Sequence, residues 1–237
     1  MTPDTFSSTS AAVRASIDRR GYGLVRSVVS AATVQTLRDA VAHVGQEGSA
    51  KRGLLAIPAV WQLASSGPVA QWARAVLGEH ARPVRGILFD KTADANWLVA
   101  WHQDLVFPVA SRIETPGFGP WSVKDGVPHT GLPRVVLEDM LSVRLHLDDC
   151  GTASGALEVA PGSHRRGKLG RDEIEALLAE RSADTCPARA GDVLLMRPLT
   201  LHRSSKASAP SRRRVVHLEY AGSGLPGPLR WPQWSAS

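Results

Sequence analysis

Apolar positions recur at helical spacing early in the chain and at strand spacing later. "AATVQTLRDAVAHVG", residues 31–45, carries an apolar face of helical period and ends at Gly45, which predicts an amphipathic helix. "GPVAQWARAVLG", 67–78, predicts a second helix, and "GYGLVRSVV" before the first predicts a short strand. From residue 82 the pattern changes. "PVRGILFDKT", "WLVAWHQDLVF", "MLSVRLHLDD", "GALEVAPGSH", "GDVLLMRPLTLH" and "RRRVVHLEYAG" are short, rich in strand formers and separated by Gly, Pro or Asp turns. "RDEIEALLAERS", 171–182, interrupts them as a helix. The pattern predicts a mainly β fold with packing helices, arranged as a double-sheet jelly roll.

The chain has 237 residues, which suits one domain. Residues 1–82 are expected to pack as a helical and strand region on a barrel spanning 83–221, with 222–237 as a tail. Residues 108–133, "PVASRIETPGFGPWSVKDGVPHTGLP", read as a long Pro/Gly-rich connection, a candidate lid in which Trp121, Lys124 and His129 could bind something. No stretch approaches the ~18 apolar residues of a membrane span. "MTPDTFSSTSAAVRASIDRR" lacks an apolar signal core, and two cysteines, Cys150 and Cys186, argue against a disulfide framework. A cytoplasmic protein is the expectation. Net charge is +6, with "SRRRVV" as the clearest basic cluster, but no zinc-finger spacing or RNA-binding aromatic signature accompanies it. Nucleic acid is therefore not expected as a partner.

The chemistry concentrates in "WLVAWHQDLVFPV", residues 97–109, where an apolar run carries His102 and Asp104. Burying such groups without partners is costly. On a regular strand, i and i+2 share a face, so His102 and Asp104 point one way and Trp101 and Gln103 the other. An imidazole and a carboxylate on one face make two legs of the facial triad of non-haem Fe(II) oxygenases, which needs one more His. His202, closing "GDVLLMRPLTLH", is the candidate third leg, with His146 and His217 as rivals. Arg212, Arg213 and Arg214 follow His202 by 10 to 12 residues, and a returning strand could bring one back as a carboxylate clamp. Arg213 shares a face with Val215 and His217, whereas Arg212 and Arg214 share the other; a one-residue slip would exchange them.

Taken in order, "WHQDL", "GALEVAPGSHRRGKL", "GDVLLMRPLTLHRSS" and "RRRVVHLEY" resemble the phytanoyl-CoA dioxygenase family, from about residue 83 to 221 and more loosely before that. The resemblance implies a double-stranded β-helix (cupin-like) core and an enzyme using Fe(II), 2-oxoglutarate and O2 on a small-molecule substrate, with release of succinate and CO2. It implies His102, Asp104 and His202 as iron ligands. It implies Arg213, Lys91 in "LFDKT" and Ser204 as contacts of 2-oxoglutarate. Arg144 departs from the family's well-known human member, which has Trp there, and could face the site to hold the co-substrate or an acidic substrate. Trp101, Trp121 and His129 are further candidate substrate contacts. Halogenases of this chemistry lack the carboxylate ligand, so Asp104 favours hydroxylation, desaturation or ring formation. The alternatives are a metal-binding β-barrel without turnover and a basic nucleic-acid-binding module. The substrate and the oligomeric state are not legible in the sequence.

Overall fold

A computed structural model of the chain describes residues 9–44, 50–208 and 212–234. Four helices come early: α1 (Ser10–Arg20), α2 (Ala31–Val41), α3 (Pro58–Ser65) and α4 (Pro68–Leu77), with β1 (Tyr22–Val25) after α1 and β2 (Ala50–Lys51) after α2. Ser30 caps α2 by accepting from Thr33 N (3.2 Å), and Val34, Leu37 and Val41 are its buried stripe. The predicted end at Gly45 lies outside the described residues. α4 starts with Pro68 at its first position, where the missing N–H costs nothing, and buries Val69, Ala70, Ala73 and Val76. α1 and α3 were not expected from the sequence pattern.

The remaining elements are β3 (Arg82–Lys91), β4 (Val99–His102), β5 (Val106–Pro108), β6 (Trp121–Lys124), β7 (Val127–Gly131), α5 (Arg134–Glu138), β8 (Met140–His146), β9 (Leu157–Val159), α6 (Arg171–Glu180), β10 (Asp184–Cys186), β11 (Val193–Met196), β12 (His202–Ser204) and β13 (Arg213–Ala221). They build a six-stranded antiparallel sheet, β1-β11-β8-β13-β3-β2, and a four-stranded one, β10-β9-β12-β4. This is the mainly β, double-stranded β-helix class expected.

Period-2 alternation sorts the large sheet into two faces. Leu141, Val143, Leu145, Val216, Leu218 and Tyr220 pack outward under the early helices in one apolar core. The opposite parity, Arg144 and His146 on β8 and Arg213, Val215, His217 and Glu219 on β13, faces the barrel interior. One end of that interior is apolar, filled by Leu24, Leu157, Val159, Leu194 and Met196. The other end holds buried polar groups, among them Arg85, Lys91, Arg144, His202, Arg213, His217 and Glu219. A closed apolar shell around such a polar end is where ligand chemistry belongs.

Two expectations are corrected here. Residues 108–133 are not a structureless connection: β6 and β7 form a hairpin that pairs with β5 as a three-stranded sheet. Phe107, Val109, Leu132 and Leu137 anchor it in a second core, and Leu132 N donates to Leu105 O (3.0 Å). The segment is therefore strand-paired and anchored at its two ends rather than a structureless loop. His202 does not close the strand of "GDVLLMRPLTLH". β11 stops at Met196, a turn follows at Pro198–Thr200, and His202 opens β12 in the other sheet.

Candidate functional site

His202 and His102 are cross-strand partners on β12 and β4, with ring centroids 4.1 Å apart. Asp104 lies just past the end of β4, held where its N–H donates to Pro198 O (3.0 Å). Its carboxylate reaches both rings: Oδ1 is 3.8 Å from His102 Nε2 and Oδ2 is 3.7 Å from His202 Nε2. One ligand atom from each of the three lies within 4.8 Å of the others. Both imidazoles are set the same way. His102 Nδ1 donates to Ala100 O (2.8 Å) and His202 Nδ1 to Thr200 O (2.9 Å). A carbonyl can only accept, so Nδ1 carries the proton and Nε2 presents its lone pair, the arrangement that metal-ligating histidines share. Burial first, and His102 beside it, lower His202 to about 4, keeping it neutral and able to ligate. Burial alone would raise the Asp104 carboxyl, but His202, His217, His102 and Arg85 outweigh that and hold it well below the usual carboxylate range.

Asp104, His217 and Glu219 also bring ligand atoms within 4.8 Å. This trio suits a cation poorly. Both Glu219 oxygens are engaged by the Arg85 guanidinium, with Nη2 at 2.7 Å from Oε1, and Arg144 Nη1 stands 3.2 Å from His217 Nδ1. A cation there would face two arginines.

The His102–Asp104–His202 trio lines a cavity of about 110 Å³, shared with Ile87, Phe89, Trp97, Val99, Arg144, Ser204 and Arg213. Of the three consecutive arginines only Arg213 reaches it. Arg212 pairs with Asp90 and Arg214 with Asp148 on the outer face. Arg213 Nη1 donates to Gly155 O and Ser204 Oγ (3.2 Å for the latter). Lys91 is directly opposite Arg213 across β3 and β13, and Nζ donates to Ser204 Oγ (3.1 Å) and Ser205 O (2.6 Å). Gly155 has φ +69°, and a Cβ there would meet Ser205 O at 2.3 Å, so only glycine lets this carbonyl approach the basic group.

Positive charge in this corner is uncompensated. Burial, then Arg213 and Arg144, lower the Lys91 ammonium to about 8; burial, then Arg213, lower Arg144 to about 10. Nε of both Arg144 and Arg213 is buried without a hydrogen-bond partner among the described residues. Asp104 is the only acid on the cavity wall among the described residues. A bound dianion would neutralise the cluster and take up the orphaned donors, so these residues fit 2-oxoglutarate, and the trio beside them fits Fe(II).

Three sequence candidates are not brought to the iron-side cavity. Trp101 faces outward under the Arg203 guanidinium (5.1 Å) beside Leu201 and Leu169, and Trp97 takes the inner position. Trp101 keeps the side that alternation from His102 gives it, whereas Trp97 and Val99 turn inward through a bulge: His202 and Ser204, two residues apart, pair with His102 and Val99, three apart. Trp121 packs in the second core with Arg112 over its ring (5.6 Å). His129 is buried on β7 and lines a neighbouring cavity instead.

Gln103 is the residue sequence reasoning left aside. From between His102 and Asp104 it points away from the cavity, donates Nε2 to Gly167 O and Leu199 O (2.7 Å each) and accepts from Leu169 N (2.8 Å). Ser163 ties the same region by accepting from Leu201 N (2.8 Å). Together they clamp the 102–104 segment to the chain entering His202. The signal was available: a buried glutamine flanked by two candidate ligands has to satisfy four hydrogen-bonding sites somewhere.

Solved structures share this fold. SnoK, a non-heme α-ketoglutarate-dependent carbocyclase from nogalamycin biosynthesis, has a TM-score of 0.70 at 17% identity, covering 90% of this chain and 84% of that one. EctD from S. alaskensis, with bound Fe, has a TM-score of 0.70 at 22% identity, covering 93% and 79%. HygX from Streptomyces hygroscopicus, with nickel and 2-oxoglutarate bound, has 0.62 at 17%, covering 86% and 84%. No curated protein matches the chain in sequence. No helix among the described residues is long and apolar enough to cross a membrane. The decisive match is to the family itself: residues 17–215, from α1 into β13, fit phytanoyl-CoA dioxygenase (PhyH). With two Nε2 lone pairs and a carboxylate converging beside a buried basic cluster inside a double-stranded β-helix, this chain belongs to the phytanoyl-CoA dioxygenase family of Fe(II)- and 2-oxoglutarate-dependent dioxygenases.

Proposed function

We propose that the chain hydroxylates an unactivated C–H bond of a small-molecule substrate, with His102, Asp104 and His202 as the protein ligands of Fe(II). The observation that carries this is the convergence of the two metal-ready imidazoles and the Asp104 carboxylate within 4.8 Å, on the wall of a cavity whose other wall is basic. Bound Fe(II), 2-oxoglutarate and O2 supply the oxidising chemistry, in which 2-oxoglutarate is converted to succinate and CO2. The chain's own residues position the reactants and exclude water. Arg213, Lys91 and Ser204 take the distal carboxylate of 2-oxoglutarate. Arg144, fixed between Phe89 (5.3 Å to the ring centroid) and His217, adds a third positive charge, for the remaining carboxylate or for an acidic substrate group. Phe89, Ile87, Trp97, Val99 and Leu157 give the cavity dry walls. Asp104 fills the position a halide would need, which favours hydroxylation over halogenation. Proteins of the same fold include a carbocyclase and an epimerase, so the product decides the reaction. The test is a panel of small molecules incubated with enzyme, Fe(II) and 2-oxoglutarate. The expected result is succinate release that depends on Fe(II) and on one class of compound, with a product heavier by one oxygen atom. A product lacking two hydrogens, or one of unchanged mass, would replace hydroxylation by desaturation or isomerisation.

A further inference from the structure

A second cavity, about 220 Å³, adjoins the iron-side cavity, with Arg85 in the walls of both. Arg52 stands on one side, Lys124 and His129 of the β6–β7 hairpin on the other, and Trp234, which donates Nε1 to Val84 O (2.9 Å), lies against it. Three features point to a ligand. Lys124 has no ion-pair partner within 4.0 Å among the described residues, although it is partly desolvated. Arg85, whose Nη2 bonds Glu219 Oε1, forms a wall of both cavities, so a molecule anchored on Lys124 borders the iron-side cavity. His129 is 2% exposed, and its Nε2 is buried with no partner among the described residues. Its Nδ1 donates to Val127 O (2.9 Å), and burial, opposed only by that bond, lowers its pKa, so the ring is neutral and Nε2 is a bare acceptor.

The other charges nearby are less available. Arg85 is committed to Glu219 with two hydrogen bonds. Arg52 pairs with Asp125 (3.1 Å), but Asp125 is largely exposed and such surface pairs contribute little, so Arg52 can exchange that partner for a ligand.

We propose that this cavity is the distal subsite of the substrate and takes an oxyanionic group on Lys124 and Arg52, with a neighbouring hydroxyl donating to His129 Nε2. The substrate class is therefore a hydroxylated organic acid or phosphate ester whose anion lies on the Arg85 side of the reacting carbon. This rests on the iron reading above and extends it to the substrate.

The test uses the full chain loaded anaerobically with Ni(II) and 2-oxoglutarate, so that the trio and Arg213 are already occupied. Calorimetric titrations with glycerate, glycerol phosphate and glycerol then read the subsite by binding alone. Glycerate and glycerol phosphate separate a carboxylate from a phosphate source, and glycerol carries the hydroxyls without the charge. The expected result is binding of at least one of the two acids and none of glycerol. Lys124→Gln, on an edge strand with no hydrogen bond to lose, weakens that acid at least tenfold with an unchanged thermal midpoint. His129→Phe weakens it as well, while acetate or sulfate, which carries no hydroxyl at neutral pH, binds as before. Loading without binding of either acid, or equal binding by the Lys124→Gln variant, overturns the subsite and leaves the iron reading standing. Failure to load Ni(II) and 2-oxoglutarate defeats the iron reading, and the subsite with it.

Discussion

Replacing Gln103 with alanine tests whether the ligand segment is held in place from behind. Three hydrogen bonds disappear, to Gly167 O, Leu199 O and Leu169 N, and Gln103 is only 8% exposed, so water replaces them poorly. Each net bond contributes about 1 kcal/mol, and a buried group left without a partner costs about 1–3 kcal/mol. Allowing for partial relaxation, the folded state should lose about 2–4 kcal/mol, a drop in Tm of roughly 5–15 °C for a chain of this size. The effect on the metal is separate. Leu199 is three residues before His202, and Gln103 itself joins His102 to Asp104, so its loss frees both halves of the trio. Removing groups that orient metal ligands typically weakens metal binding by about 10–100-fold. The assay pairs urea unfolding of the metal-free protein with anaerobic Fe(II) titration in the presence of 2-oxoglutarate. Gln103→Met, which keeps the volume without the hydrogen bonds, should follow alanine in both. Stability lost with Fe(II) affinity unchanged would refute the positioning role, because the trio would then be rigid without its clamp.

Arg213→Met should weaken 2-oxoglutarate by about 2–4 kcal/mol, the scale for removing one partner of a buried charge pair, as read by calorimetry with Ni(II) in place of Fe(II). Arg212→Gln, whose partner Asp90 lies on the outer face, should leave that affinity unchanged. Lys91 gives a pH dependence. Its ammonium is lowered to about 8 before the co-substrate binds, and a bound carboxylate favours the charged form. Affinity for 2-oxoglutarate should therefore be flat below pH about 7 and fall by up to about tenfold per unit above pH about 8, a fall absent in Lys91→Met. Trp97→Leu should change turnover or substrate preference, since Trp97 lines the cavity, whereas Trp101→Leu should cost stability alone.

The alternation along β8 and β13 made the interior legible from the sequence. Arg144, Arg213 and His217 share the parity that faces the barrel, and the flanking Leu and Val positions carry the outer core. The same rule, run back from His102, puts Trp101 outward, where it is, but puts Trp97 outward too. A bulge is one extra residue without a compositional mark, and it brings Trp97 inward. Residues 108–133 misled for a different reason. "WSVK" and "VPHTG" are short strands whose Gly and Pro content resembles a loop, and their order comes from packing on Phe107 and Leu132 rather than from local propensity. The second polar group, Arg85 with Glu219, joins positions 134 residues apart in the chain. Only the pairing of β3 with β13 brings them together, so no local pattern announces it.

The central claim is that His102, Asp104 and His202 hold the iron. Its most direct measurement is the visible metal-to-ligand absorption band formed when Fe(II) and 2-oxoglutarate are added to the protein without oxygen. His102→Ala, Asp104→Ala and His202→Ala should each abolish the band or shift its formation to far higher Fe(II), while His146→Ala, at a buried histidine outside the trio, should retain it. An undiminished band in all three variants would contradict the assignment.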